Sequence, residues 1–308
     1  MASATYILCP GQGAQAVGMG KDFFAASPVA RETFAQADKV LGFELSALCF
    51  EGPEDRLNQT DISQPAIFTT GIACYRDAVA AGKIDPATIT ACAGLSLGEY
   101  TALCLAGVFS FEDGLQLVAA RGRYMQEAAV ATRSGMVALI GTDEAAANRL
   151  CEECAQGEVL VPANFNAPGQ IVVSGSIGAC DRVLKAAEAA NLRAMALKVA
   201  GAFHSPLMQP AADRMVAELA KVTFAVPTLP VYSNVTALPH TDSVSIKRLL
   251  VDQIVKSVRW AGIMQTLVAN EGARFVELAP GRTLAGLVKR INRRLAVESL
   301  ENRAALSV

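Results

Sequence analysis

The stretch that most restricts the fold is residues 133 to 200, where apolar and helical runs follow in the order strand, helix, strand, strand, helix, strand. "GMVALIG" (135–141), "EVLVPAN" (158–164), "QIVVSG" (170–175) and "RAMALKV" (193–199) read as strands. "DEAAANRLCEECA" (143–155) and "GACDRVLKAAEAAN" (178–191) read as helices, and "NAPG" (166–169) as the turn between the middle strands. A βαββαβ order complete within about seventy residues is the split pattern of ferredoxin-like domains. Longer α/β units stand on both sides, so the pattern predicts a small domain at 131–200 inserted into a large one formed by 1–130 and 201–308.

The flanks supply those units. "ATYILC" (4–9) reads as a buried strand ending at Pro10-Gly11, followed by the glycine-punctuated turn "GQGAQ" (11–15). Ser27-Pro28 starts a helix as N-cap and N1 proline, residues 64–82 carry helical spacing, and "TACAG" (90–94) is a short strand. Ser110-Phe111-Glu112-Asp113 resembles a capping box, opening a helix to about Ala129 whose inward stripe is Leu115, Val118, Ala119, Gly122 and Met125. After 200 come a helix following His204, a strand "PVYSN" (230–234), helices through Trp260 to Ala269, a strand "RFVEL" (274–278) and a last helix at 283–294.

At 308 residues, 52% of them hydrophobic and 18% charged, the chain can bury the core of an α/β protein. A net charge of -2 gives no bulk electrostatic case for nucleic acid or an anionic membrane as partner. No apolar run reaches the roughly 18 residues a membrane span needs. The eight cysteines stand mostly alone in apolar runs, and Cys151-Glu152-Glu153-Cys154 lacks the second pair or nearby histidine of a zinc site. A reduced cytoplasmic location, a monomer and no bound metal are the expectation.

Ser96 stands in Gly94-Leu95-Ser96-Leu97-Gly98, between the strand at 90–94 and a helix-like run. The five-residue pattern is weak alone, and its context makes Ser96 a candidate nucleophile on a strand-to-helix elbow. A serine hydroxyl needs a base, and the chain has only His204 and His240. His240, in "TALPHTDSV", reads as part of a surface loop; His204, in "VAGAFHSPLM", stands between a strand end and a helix start, where a base can face Ser96. The elbow places the Leu97 N–H as one oxyanion donor. The turn at Gln12, on the same carboxyl edge of a parallel sheet, offers a second. Arg121 falls among small residues, "AARG", where a neighbouring backbone can approach closely; it either reaches solvent or awaits a planar anion.

Together these segments resemble the malonyl-CoA:acyl carrier protein transacylases of type II fatty acid synthesis and the related acyltransferase domains of polyketide synthases. "PGQGAQAVGMG", "NQTDISQPAIF", "GLSLGEYTAL", "AARGRYMQEA", "NFNAPGQIVVSG", "GAFHSPLM", "VYSNVTA", "LVDQIVKSVRW" and "ELAPGRTLAGLVKR" carry the resemblance in the family's order. It implies an α/β-hydrolase-like large domain interrupted by a ferredoxin-like one, and malonyl transfer from CoA to the carrier's phosphopantetheine thiol with no cofactor. Carried over by position, Ser96 is the nucleophile, His204 its base, Arg121 the partner of the malonyl carboxylate, and Gln12 and Leu97 the oxyanion donors. Gln253 orients His204 through its backbone carbonyl, Phe203 restricts an α-methyl branch, and Asn164, Asn166 and Gln170 stand beside the pocket. Leu95 departs from the family's usual histidine before the nucleophile, which bears on the polarity of the pocket wall and on water exclusion. For the acidic carrier, Lys289, Arg290, Arg293 and Arg294 form a basic cluster on the last helix. A serine esterase is the rival reading, but it lacks the acid expected before its last histidine and leaves Arg121 without a task.

Overall fold

The apolar runs at both ends of the chain assemble into one parallel sheet in a computed structural model that describes residues 4–270 and 272–307. Its order is β2 (Ile89–Gly94), β1 (Thr5–Cys9), β7 (Arg274–Leu278), β8 (Val297–Leu300). All five residues of β1 are buried, as a strand covered by helices on both faces requires. Cys9 pairs with Gly94, so β1 and β2 end together and their following turns open side by side. That register sets the loop of Gln12 beside the loop of Ser96.

Two long helices cover one face. The Thr60–Ala80 helix is buried on nearly every side, as a helix at the centre of a domain must be. It begins a turn earlier than the spacing from Gln64 predicts and contains Pro65; the Thr60 N–H is capped at 2.9 Å by Gln126 Oε1 of the next helix, Phe111–Ala131. Gly122 makes the close crossing possible, because a Cβ there would stand 2.5 Å from the Thr60 carbonyl oxygen. Trp260, Ile263, Met264 and Leu287 pack on the opposite face.

The middle of the chain forms a second, antiparallel sheet, β4 (Leu160–Ala167), β5 (Gln170–Ser176), β3 (Ser134–Ile140), β6 (Arg193–Ala196), in that spatial order. The helices Glu144–Ala155 and Ile177–Ala189 bury Ala147, Cys151, Cys180 and Val183 against Leu139 and Val173 of the sheet. This is the ferredoxin-like order that the alternation of residues 133 to 200 predicts. The sheet is tied to the rest by the Phe165 N–H on the Val258 carbonyl (2.9 Å) and the Val258 N–H on the Ala163 carbonyl (2.8 Å). The ranges 1–130 and 201–308 include residues 1–3, 271 and 308, which lie outside the described residues.

Three further local expectations change, and one strand is not foreseen by the sequence. "PVYSN" makes only isolated bridges, Val231 to Cys92 and Tyr232 to Pro239, since after Tyr232 the chain turns, with the Val235 N–H on Ser233 Oγ, so that the Asn234 N–H can bond Glu99 behind the elbow. β6 stops at Ala196; the Leu197 N–H still bonds the Met136 carbonyl at 2.9 Å, and Leu197, Lys198 and Val199 turn to line a cavity. The last helix ends at Ile291 and not 294, so Arg293 and Arg294 belong to the following turn. β8, four partly apolar residues at the sheet edge, has too short a pattern to be read from sequence. Among the described residues no helix is long and apolar enough to cross a membrane, and no cluster of His, Cys, Asp or Glu could hold a metal.

Candidate active site

Ser96 turns the chain from β2 into the Gly98–Leu105 helix with φ of 51°, a left-handed conformation that a non-glycine residue holds only when its surroundings enforce it. The glycines are part of that enforcement. A Cβ on Gly94 would stand 1.9 Å from the Gly98 carbonyl carbon, and one on Gly98 would stand 2.0 Å from the Cys9 carbonyl oxygen. Asn234 clasps the turn from outside: its Oδ1 accepts from the Ser96 N–H at 2.6 Å and its Nδ2 donates to the Gly94 carbonyl at 2.7 Å.

His204 also adopts a positive φ, 57°, and is 4% exposed. Its Nε2 lies 2.8 Å from Ser96 Oγ and its Nδ1 lies 2.6 Å from the Gln253 carbonyl. A carbonyl only accepts, so Nδ1 carries the proton and Nε2 presents its lone pair to the serine hydroxyl. Burial, with the Arg121 charge adding to it, lowers the imidazole pKa to about 4, against the opposing hydrogen bond to Gln253. His204 is therefore neutral at physiological pH and able to take a proton.

Arg121 lies wholly inside the molecule, at 1% exposure; of its two readings, the solvent-reaching one is excluded. Nη1 donates to Gln64 Oε1 at 2.7 Å, and Nη2 to Gln253 Oε1 at 2.8 Å and Ser96 Oγ at 3.1 Å. The guanidinium lies 5.6 Å from the Tyr100 ring centroid, and its Nε has no partner among the described residues. Its direct partners are thus neutral, and burial lowers its pKa from the usual value while Tyr100 and Glu99 raise it. A buried cation with donors to spare and no carboxylate in direct contact is prepared for an anion that arrives with a ligand.

A cavity of about 500 Å³ opens in front of these groups, between the carboxyl edge of the parallel sheet and the antiparallel sheet. Gln12, Leu95, Ser96, Arg121, Phe203 and His204 line it from one side, and Asn164, Asn166 and Gln170 from the other. Asn166 Oδ1 and Gln170 Oε1 are buried without partners among the described residues. Leu97 and Gln253 are fully buried: Leu97 presents its backbone N–H, while Gln253 reaches His204 through its backbone carbonyl and Arg121 and the Ser96 carbonyl through its side-chain amide. Neither the Leu97 nor the Gln12 N–H has a protein acceptor among the described residues; the Gln12 side chain is held by its Nε2 on Thr60 Oγ1 at 3.3 Å. Lys289 and Arg290 are exposed at the far end of the helix whose Thr283 and Leu287 reach the cavity, and Arg293 and Arg294 line a separate cleft.

His240 is 8% exposed, not part of a surface loop: its Nε2 lies 2.8 Å from Glu99 Oε1, and that carboxylate, itself fully buried, pulls the segment inward. Glu99, Asn234, His240 and Gln64 are the site-supporting residues that motif reasoning missed. One signal was present: from Ala91 to Val108 Glu99 is the only charged residue, and a charge alone in an apolar run needs buried partners. Burial also raises the Cys92 and Cys104 thiols to about 12, which disfavours their thiolates, whereas the Ser96 hydroxyl has the His204 imidazole beside it.

Comparison with known proteins identifies the family. The acyl transferase domain family matches residues 5–302. The malonyl CoA-acyl carrier protein transacylase of Salmonella typhimurium is 44% identical over 299 residues, 97% of this chain and 96% of that protein. The solved structure of the Coxiella burnetii malonyl CoA-acyl carrier protein transacylase superposes with a TM-score of 0.94 at 38% identity, covering 99% of this chain and 96% of that one. A malonyl-transacylase solved in complex with its type II polyketide acyl-carrier protein gives a TM-score of 0.94 at 38% identity, covering 99% and 98%. The chain belongs to the acyl transferase domain family and, within it, to the malonyl CoA–acyl carrier protein transacylases.

Proposed function

We propose that the protein transfers malonyl groups from CoA to the phosphopantetheine thiol of an acyl carrier protein through a malonyl ester on Ser96. The observation that carries this reading is the contact of one hydroxyl, Ser96 Oγ, with both a neutral imidazole at 2.8 Å and an uncompensated guanidinium at 3.1 Å. The first makes a nucleophile, and the second selects an acyl group that ends in a carboxylate.

His204 Nε2 takes the hydroxyl proton as Ser96 Oγ bonds to the thioester carbon. The resulting oxyanion lies at the N–H groups of Gln12 and Leu97, which are available for it. As the carbon–sulfur bond breaks, His204 returns the proton to the CoA sulfur and the malonyl ester remains. The carrier's thiol then gives its proton to His204, attacks the ester carbon, and Ser96 leaves with that proton. Gln253 does the work of a triad acid by holding the Nδ1–H tautomer. The eight unpaired thiols support a reducing, cytoplasmic setting. Fatty acid chain elongation is the pathway this transfer would supply.

Initial-rate kinetics with malonyl-CoA and a holo carrier test the reading. Parallel double-reciprocal lines and malonate on the carrier thiol are expected; release of free malonate with none on the carrier would leave a hydrolase instead.

A further inference from the structure

Behind Ser96 lies one charge that the transfer steps do not use. Glu99 accepts from three donors: His240 Nε2 (2.8 Å) on Oε1, and Gln253 Nε2 (2.6 Å) and the Asn234 N–H (3.1 Å) on Oε2. The other hydrogen of the Gln253 amide goes to the Ser96 carbonyl at 2.9 Å, while Gln253 Oε1 accepts from Arg121. An amide turned over exchanges its donor and acceptor ends. In Gln253 this would set the oxygen against a carbonyl and a carboxylate, and the NH₂ against a guanidinium. Three attractions would become repulsions, and Arg121 would lose an acceptor.

We propose that Glu99 is a positioning residue for acyl selection: by accepting from Gln253 it fixes the amide so that Oε1 faces Arg121, and so aims the guanidinium at an acyl group bearing a carboxylate. This rests on the malonyl reading and adds a cause for the orientation of Arg121. Hydrogen-bond acceptance is the essential property, not charge. Glu99→Gln retains an oxygen for Gln253 and Asn234 if its new NH₂ donates to His240, whose ring then carries its proton on Nδ1. Nδ1 has no partner among the described residues to oppose that move.

The test measures Ser96 acylation by malonyl-CoA and by acetyl-CoA in the wild type, Glu99→Met, Glu99→Gln, Gln253→Met and the Glu99→Met/Gln253→Met double variant. Glu99→Met should lower the malonyl-to-acetyl rate ratio about tenfold, the loss of one charge-assisted hydrogen bond in favourable geometry. Glu99→Gln should stay within about threefold of the wild-type ratio, and the double variant should be no less selective than Gln253→Met, since one residue acts through the other. Equal slowing with both acyl groups, a Glu99→Gln loss as large as that of Glu99→Met, or additive losses would overturn the proposal. If Glu99→Met does not fold, Gln253→Met decides: a wild-type ratio there overturns it as well. Wild-type protein that takes acetyl as readily as malonyl contradicts the function reading, whereas a selective wild type with an unchanged Glu99→Met ratio contradicts only this inference.

Discussion

The chain's two histidines, one on each side of the elbow, are both buried and each is held by one oxygen. They are prepared for opposite work. His204 spends Nδ1 on a carbonyl and aims Nε2 at Ser96 Oγ; His240 spends Nε2 on the Glu99 carboxylate and addresses nothing reactive. The same contrast separates the regions around them. In front of Ser96, Arg121 keeps an unspent Nε–H and the Gln12 and Leu97 N–H groups have no protein acceptor among the described residues. Behind it, Asn234, Gln253 and Glu99 satisfy one another. Spent hydrogen bonds fix a turn, and unspent ones meet a substrate.

The largest effect expected from this contrast is the loss of the base. His204→Ala should lower malonyl transfer by about 10³-fold or more in kcat, whereas His240→Ala should lower Tm, through a lost buried charge-assisted hydrogen bond of about 1.5–3 kcal/mol, and spare most of kcat. Equal losses in kcat would break the division. Next is Arg121→Ala, which should reduce the malonyl-over-acetyl preference in kcat/KM by roughly tenfold to a hundredfold, with acetyl-CoA as the internal control.

The His204 pKa sets a pH signature. Its folded value, about 4, lies below the ordinary 6.5, so the unfolded chain binds more protons between those limits. Stability should fall as pH drops from about 6.5 to about 4, by on the order of 3 kcal/mol from this group, and denaturant titrations of wild type against His204→Gln isolate it. The acid limb of kcat/KM for malonyl-CoA should also lie near 4, since neutral His204 is the active form. A limb near 6.5 would mean that the imidazole is hydrated in solution.

Smaller effects concern the cavity wall and the outer surface. Leu95 lines the cavity beside Ser96, and Leu95→His should raise the fraction of malonate lost to water severalfold by giving water a polar foothold, read as free malonate against carrier-bound malonate. Lys289→Glu with Arg290→Glu should raise the carrier's KM at low salt and less at high salt, leaving the acylation rate unaffected. An unchanged KM removes that end of the helix from the docking surface.

Much of this was legible before any coordinates, for reasons that differ by region. Helices and central strands follow from period and punctuation: Ser27-Pro28 caps and starts a helix, Ser110 caps another through the Asp113 N–H, and residues 134–196 close the antiparallel sheet. Ser96, His204 and Arg121 could be nominated because reactive types are scarce in an apolar chain. Of the supporting network only Glu99, a lone charge in an apolar run, left a signal in the sequence. Nothing local to "TALPHTDSV" says that His240 meets a carboxylate 141 residues earlier in the chain, and a single helix cannot tell a solvated arginine from one that a partner helix encloses. Edge strand β8 and the end of the last helix at Ile291 depend on tertiary pairing and not on period.

The account stands on acylation of Ser96. Intact-protein mass spectrometry after brief mixing with malonyl-CoA, without carrier, should give a mass increase of one malonyl group that maps to Ser96, is absent in Ser96→Ala, and disappears when the holo carrier is added. Malonyl transfer to the carrier with no adduct on Ser96 at any time would contradict it.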